Sequence, residues 1–261
     1  MPNNLLRASA AAIPIAAAFL LSPAIAQAQE QGVWNGWYVG GNIGGAWGDN
    51  SQKATVSPGS GAVVIPPADV AVINSGSASS SNKSGFTGGI EGGYDYRMGD
   101  WLLGLETDFV ALDLNQRQSN TFQSPIVTPG LQPATYTLSQ RAKTNWMWSV
   151  RPRVGYVAGP WLVYATGGLA VTDVKATVDF SDNRTPANVV RSEKSSTKTG
   201  WIAGLGAGYA ITPQWSLKGE WLYSDFGSIS TTATSAAGFV NLTSDTKVRS
   251  NIFRVGADYR F

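Results

Sequence analysis

The chain has 261 residues, with 19 basic and 17 acidic side chains, 30 glycines, 10 tryptophans, no cysteine and no histidine. The missing cysteine excludes disulfides and a lipid-bearing thiol, and the missing histidine removes His-based acid/base catalysis, Ser-His-Asp triads and most zinc sites. A formal charge of +2 gives no electrostatic footprint for nucleic acid, so no nucleic-acid partner is expected.

The first element, 1–28, reads as a secretory signal peptide. Arg7 is its single charge, the run Ala8–Leu21 is apolar, Ser22-Pro23 breaks it, and Ala24, Ala26 and Ala28 supply small residues for cleavage. Cleavage is expected after Ala28, with Ala26 as the second choice, and an uncleaved anchor helix is the alternative. The remaining domain, 29–261, then carries 18 basic against 17 acidic residues, and none of its apolar runs is long enough for a transmembrane helix. An exported, tryptophan-rich chain of this kind is left with the β-barrel as its way to cross a membrane.

Seven stretches then alternate with the strand period of two. Trp37–Gly48 sets Trp37, Val39, Ile43 and Trp47 against Tyr38, Gly40, Asn42 and Gly44. Phe86–Arg97 sets Phe86, Ile90, Tyr94 and Tyr96 against Glu91 and Asp95, and Trp101–Leu112 sets Trp101, Leu103, Leu105 and Phe109 against Glu106 and Asp108. Asn145–Val157 opposes Trp146, Trp148, Val154 and Tyr156 to Arg151 and Arg153, and Trp161–Thr172 opposes Trp161, Val163 and Leu169 to Tyr164 and Thr166. Gly200–Ile211 carries Trp201, Leu205 and Tyr209 over Gly204, Gly206 and Gly208, and Trp215–Ser224 carries Trp215, Leu217 and Trp221 over Lys218 and Glu220. The eighth stretch, Ser250–Phe261, places Phe253, Val255, Ala257, Tyr259 and Phe261 on one face and Arg254, Gly256, Asp258 and Arg260 on the other.

Eight strands is an even number, as bacterial single-chain barrels require. Met98-Gly99-Asp100, Ala158-Gly159-Pro160 and Thr212-Pro213-Gln214 read as short turns. Between them Asp49–Ser84, Asp113–Thr144, Asp173–Thr199 and Asp225–Val248 read as four long loops. The expected architecture is an all-β, eight-stranded antiparallel transmembrane barrel with short periplasmic turns and four long extracellular loops. Trp37 to Trp47, ten steps at about 3.3 Å and a tilt of roughly 40°, spans about 25 Å, the height of an outer-membrane apolar band. Aromatics recur at both ends of that span, from Trp37, Tyr96, Trp101, Tyr156, Trp161, Tyr209, Trp215 and Tyr259 at the turn side to Trp47, Phe86, Phe109, Trp146, Trp201 and Trp221 at the loop side.

Two motifs carry a resemblance. Gly32-Val33-Trp34-Asn35-Gly36-Trp37-Tyr38-Val39-Gly40-Gly41-Asn42-Ile43-Gly44, together with the alternating last strand, resembles the small alphaproteobacterial outer-membrane proteins of the opacity-type, OmpA-like barrel superfamily. The resemblance implies a cell outer-membrane location, contact with outer-membrane lipid and lipopolysaccharide, and no catalytic residues. It also implies that Phe253, Val255, Tyr259 and Phe261 form the signal read by the barrel-assembly machinery. No peptidoglycan-binding domain is expected after Phe261.

The expected interior is charged and balanced. Glu91, Asp95, Glu106, Asp108, Glu220 and Asp258 face Arg97, Arg151, Arg153, Lys218, Arg254 and Arg260, and a small barrel is only just wide enough for side chains to fill. Mutual neutralisation then gives a plugged lumen, while the glycine face of 200–211 leaves open a wet slit and slow passage of small hydrophilic solutes. A turn at Met98-Gly99 that pairs Arg97 with Asp100 would set Glu91 opposite Glu106, with Arg151 and Arg153 making bidentate pairs to that acidic cluster. Lys218 and Glu220 would meet Arg254 and Asp258 in a second group. Neither a cofactor nor a metal is implied. The carboxylates of Glu91, Glu106 and Asp108 could in principle form an acid/base pair, but the adjoining arginines favour a structural network. The expected function is a structural and surface-interaction barrel, its loops offering a site for an extracellular partner. In the first loop, the apolar segment Ala62–Ile73 is either an exposed partner surface or an extension of the flanking strands with Pro66-Pro67 near its tip.

Overall fold

In the computed structural model, residues 33–60, 65–126, 134–183, 190–234 and 240–261 are described; the expected signal peptide and its cleavage point at Ala28 lie outside them. Eight antiparallel strands form a closed barrel in sequence order: β1 (Gly36–Pro58), β2 (Ala78–Met98), β3 (Trp101–Gln123), β4 (Thr135–Ala158), β5 (Trp161–Asp182), β6 (Val190–Ala210), β7 (Trp215–Thr234) and β8 (Val240–Arg260). β1 closes the ring by pairing with both β2 and β8. One helix, α1 (Pro67–Ser75), interrupts the β1–β2 connection.

In the lower half of the ring, toward the turns, the alternation is inside out. Trp37, Ile43, Phe86, Ile90, Trp101, Leu105, Trp161, Leu169, Leu205, Trp215, Val255 and Phe261 point outward and are exposed, while Glu91, Asp95, Glu106, Asp108, Arg151 and Arg254 are buried inside. An apolar band of this extent is stable only against a hydrocarbon medium. Near the turn rim one cross-strand aromatic pair recurs four times: Trp37–Tyr94, Trp101–Tyr156, Trp161–Tyr209 and Trp215–Tyr259 meet edge to face with centroids 4.8–5.7 Å apart. Each is a directly opposed pair of adjacent strands, the position at which such contacts stabilise a sheet.

The strands do not stop where the apolar exterior stops. Much of the four expected loops is ladder: β5, for example, runs 22 residues to Asp182 and keeps its register with β6 up to Phe180↔Val190. At about 3.3 Å per residue and a tilt of about 40°, that is about 55 Å, roughly twice the membrane band. The reason is an inversion of polarity along each strand. Above the loop-side aromatics, Val174, Ala176, Val178 and Phe180 of β5 turn inward and are buried, with Asp173, Lys175, Thr177 and Asp179 outside. β8 does the same, with Val240 and Leu242 inside and Asn241 and Thr243 outside. The medium outside changes from lipid to water, and the apolar residues move from the outward to the inward positions to match. One-residue register shifts at Ala111/Leu114, Thr144/Met147 and Asp225/Ser228 fall at this boundary, as bulges that re-aim side chains do.

From Ile65 on, the apolar segment of the first loop is neither an exposed surface nor a strand extension. Its described part forms α1, which folds into the loop end with Ile65, Asp69 and Ile73 buried. Pro66 and Pro67 preset the helix start, where no backbone donor is needed. Ser124 Oγ and Tyr136 Oη donate to the Asp69 carboxylate at 2.5 and 2.6 Å, and Asn74 makes two bonds to the Val56 backbone at 2.8 and 2.9 Å.

The register at the first hairpin also differs from expectation. Gly99, at φ 64°, starts a two-residue turn that pairs Met98 with Trp101, so Glu91 sits opposite Asp108 and Gly93 opposite Glu106. A two-residue shift preserves which face each side chain is on but changes its partner. Arg97 does not enter the lumen. It caps the turn instead, donating from Nε to Gly99 O at 2.7 Å and from Nη1 to Val33 O at 3.1 Å.

Candidate functional site

The lumen of the lower barrel is filled by one connected set of charges centred on Glu106. β3 presents Glu106 and Asp108 two residues apart, hence on one face, and β4 presents Arg151 and Arg153 the same way. Glu106 lies directly across from Arg151. Arg151 Nη2 donates to both Glu106 Oε1 and Asp108 Oδ2, the latter at 2.8 Å, and Arg153 Nη1 donates to Glu106 Oε2 at 3.1 Å. From the opposite wall, Lys218 Nζ reaches Glu106 Oε2 at 2.7 Å and Glu91 Oε1 at 3.0 Å. Arg254 joins Glu220 at 2.6 Å and Asp108 at 2.8 Å. Asp95 is held by Arg153 through two bonds of 2.8 and 2.5 Å and by Arg260 at 2.9 Å.

Of the twelve charged residues expected in the lumen all but Arg97 are buried, but their grouping differs from the sequence reading. Lys218 stands within 3.8 Å of Asp258 while also bonding Glu91 and Glu106, so the two expected groups are one network. The bidentate fork belongs to Arg153 with Asp95; Arg151 uses a single nitrogen to bridge two carboxylates. Both differences follow from a lumen so narrow that side chains from opposite walls meet.

Several participants were assigned a face by the alternation but not a role. Tyr38 Oη donates to Glu106 at 2.8 Å, Tyr164 Oη to Glu220 at 2.7 Å, Asn42 Nδ2 to Glu91 at 2.9 Å and Ser149 Oγ to Asp108 at 2.7 Å. The Tyr38 ring also packs against the Arg153 and Arg260 guanidinium groups, 4.7 and 5.2 Å from its centroid, a stabilising cation–π geometry. For Tyr38 the signal was an inward tyrosine between Gly36 and Gly40 of the same face: a large polar-tipped ring on an otherwise small face must cross the lumen.

The glycine wall of β6 leaves no slit. A side-chain carbon at Gly206 would fall on the Tyr164 ring and one at Gly208 on the Trp34 ring, so those rings occupy the space. Trp34, just before β1, is buried with Leu102, Val157, Leu162 and Tyr164 at the turn end. Above the charges, Val110, Leu112, Met147, Val174, Ile202, Leu222, Phe226 and Ile252 form an apolar plug. Beside it remains a cavity of about 20 Å³, room for one water.

Glu91, Glu106 and Asp108 each offer an oxygen within 4.8 Å of the others, the spacing of a cation site. Those carboxylates are already engaged by Lys218, Arg151 and Arg254, so the protein's own cations stand where a metal would.

Phe253, Val255 and Tyr259 face outward on β8 and Phe261, just after it, is exposed as well; Phe261 N donates to Trp37 O at 3.0 Å across the closing seam.

Comparison with known proteins agrees with this architecture. Residues 15–261 match the family described as the outer membrane protein beta-barrel domain. The 31 kDa outer-membrane immunogenic protein of Brucella melitensis is 35% identical over 181 residues, 68% of this chain and 67% of that protein. The 22 kDa outer membrane protein of Rhizobium leguminosarum is 30% identical over 144 residues, 55% of this chain and 54% of that one. Among solved structures, the outer membrane protein OprG of Pseudomonas aeruginosa aligns with 88% of this chain and 98% of its own at 17% identity and a TM-score of 0.47.

Proposed function

This chain belongs to the outer membrane protein beta-barrel family and is an integral outer-membrane protein, and from that premise we propose that it is a closed, non-enzymatic barrel that presents a rigid folded surface outside the cell. The observation that carries this reading is the filled lumen. Arg151 and Glu106, 0% and 1% exposed, sit on adjacent strands, while Lys218 and Arg254 come to the same carboxylate from the far wall. A hydrated path would have to part charges that neutralise one another in a low-dielectric interior. With the loop end outside, the water-facing upper barrel becomes the surface available to partners, on a scaffold rigid enough to hold a binding site.

Planar-bilayer recordings of refolded protein test the closed lumen. No steady single-channel conductance is expected, and regular, salt-dependent steps would instead establish slow passage of small solutes. Orientation is open to a clean labelling experiment because the chain has no native cysteine. A membrane-impermeant maleimide added to intact cells should label Thr177→Cys, on the outer face of upper β5, but neither Leu169→Cys in the lipid band nor Gly159→Cys at the turn rim. Labelling of Gly159→Cys alone would invert the topology.

Phe261 is 68% exposed beside the β1–β8 closure, where an aromatic contacts lipid and a charge would be costly. In this reading Phe253, Val255, Tyr259 and Phe261 are the residues presented to the barrel-assembly machinery, and lipid and lipopolysaccharide surround the lower barrel. Phe261→Asp should sharply reduce folded, heat-modifiable protein in the outer membrane. An unchanged yield would remove the assembly role.

A further inference from the structure

The barrel is not closed along its full height. Among the described residues, the β6–β7 ladder runs from Ala210↔Ser216 only to Trp201↔Asp225, although β6 begins at Val190 and β7 continues to Thr234. The β2–β3 ladder likewise stops at Thr87↔Leu112. These two seams lie on opposite sides of the ring, so the upper barrel is a sandwich of two four-stranded sheets, β2-β1-β8-β7 and β3-β4-β5-β6. Ala54, Val56, Leu138, Val178, Phe180 and Leu242 pack between them.

The two seams are treated differently. Beside the first, α1 and its flanks tie β1 to β3 and β4: Asn120 Nδ2 donates to Gly76 O at 3.1 Å, and Asp69 takes hydroxyls from Ser124 and Tyr136. The second has no such cover among the described residues. Across it Lys194 Nζ donates to Ser230 O at 3.2 Å and Lys198 Nζ to Ser228 O at 3.4 Å. Two lysines four residues apart thus hold carbonyls that backbone amides would hold in a continuous sheet. Arg191–Thr199 of β6 is exposed or half-buried along its length.

We infer that this seam is a docking site for an extended, acidic polypeptide segment of another protein, which adds as a strand along the upper β6 edge. The inference rests on the surface-presenting reading above and names the partner chemistry for it. A row of alternating amide and carbonyl groups is satisfied by one kind of ligand, an extended backbone. The lysines select the charge: a carboxylate opposite each would release Lys194 and Lys198 from Ser230 and Ser228 and replace weak bonds with cross-strand ion pairs. No acidic side chain occurs in the β7 half of the seam, from Phe226 to Thr234, to compete for them. A second copy does not fit. Two barrels related by an axis along the membrane normal present β6 strands running the same way and crossing at about 80°, twice the tilt, which prevents a ladder. The chain's own connections at this rim, 184–189 and 235–239, are too short to run back along nine ladder residues.

The test uses full-length protein refolded in nanodiscs and a ten-residue peptide of alternating threonine and glutamate. Binding should protect amides in 191–199 and 226–234 from hydrogen exchange and leave those in 101–110 unchanged. Lys194→Glu/Lys198→Glu should weaken binding by about tenfold or more, as should lysine in place of the peptide's glutamates. The decisive control is the same acidic peptide N-methylated at alternate residues, which keeps the charge but cannot donate to the ladder. Equal binding of that peptide would reduce the site to a charged patch and overturn the proposal. So would the absence of protection at both edges with the parent peptide at millimolar concentration. Neither result bears on lumen closure, which conductance reads separately.

Discussion

Arg151→Ala is expected to lower the stability of the folded barrel by about 3 kcal/mol, the scale for orphaning buried charges. Its guanidinium is fully buried and is the group that bridges Glu106 to Asp108. Removing it brings those two carboxylates into direct repulsion in a dry site, with Arg254 alone still contacting both. Urea titration of protein refolded into lipid vesicles, followed by tryptophan fluorescence and by heat-modifiable mobility, reads the loss. A change below about 1 kcal/mol would mean that water reaches these groups, and it would support passage of solutes through the lumen.

Glu106→Gln should cost as much or more, about 3–5 kcal/mol. With Glu91 directly opposite, as the turn at Met98-Gly99 would have set it, this substitution would relieve a like-charge contact and cost less than Arg151→Ala. The observed register moves Glu91 to Asp108 and leaves Glu106 facing cations. Arg151, Arg153 and Lys218 bond it, Arg254 stands at 3.4 Å, and Tyr38 donates to it. A neutral amide in that position leaves converging positive charges uncompensated and points its own donors at theirs. Adding Lys218→Met to Glu106→Gln should recover part of the loss, because the two sites are coupled directly. The idea of Glu106 as the hub fails if the single substitution is neutral, or if the double variant is simply the sum of the two.

These two variants differ in how much of their rationale the sequence contained. The placement of Arg151 opposite Glu106 followed from counting residues from the turns, since Trp101 and Tyr156 open and close adjacent strands. The first hairpin went wrong by two residues because its two-residue turn was placed one position early, on Met98-Gly99, whereas the left-handed Gly99 opens a turn over Gly99-Asp100. Face survived that error and partner did not.

Composition and alternation in the lower barrel were sufficient by themselves for the membrane barrel, its eight strands, their closure and the inward charges other than Arg97. The reason is that lipid imposes one sign of polarity on every membrane-facing position, so the period of two repeats undiluted from strand to strand. The upper barrel was illegible for the same reason. Once the strands leave lipid their apolar face turns inward, as Val56, Leu138, Val178 and Leu242 do, and Ser- and Thr-rich segments that read as loops carry the ladder onward. Only the tertiary structure decided that Lys218 and Arg254 cross the lumen to Glu106, that the rings of Tyr164 and Trp34 fill the glycine wall, that α1 folds inward, and that two ladders end early. Each depends on distances across the ring, between residues as far apart in sequence as Glu106 and Arg254. Local pattern states which way a side chain points, but what it meets there is set by the width of the closed barrel.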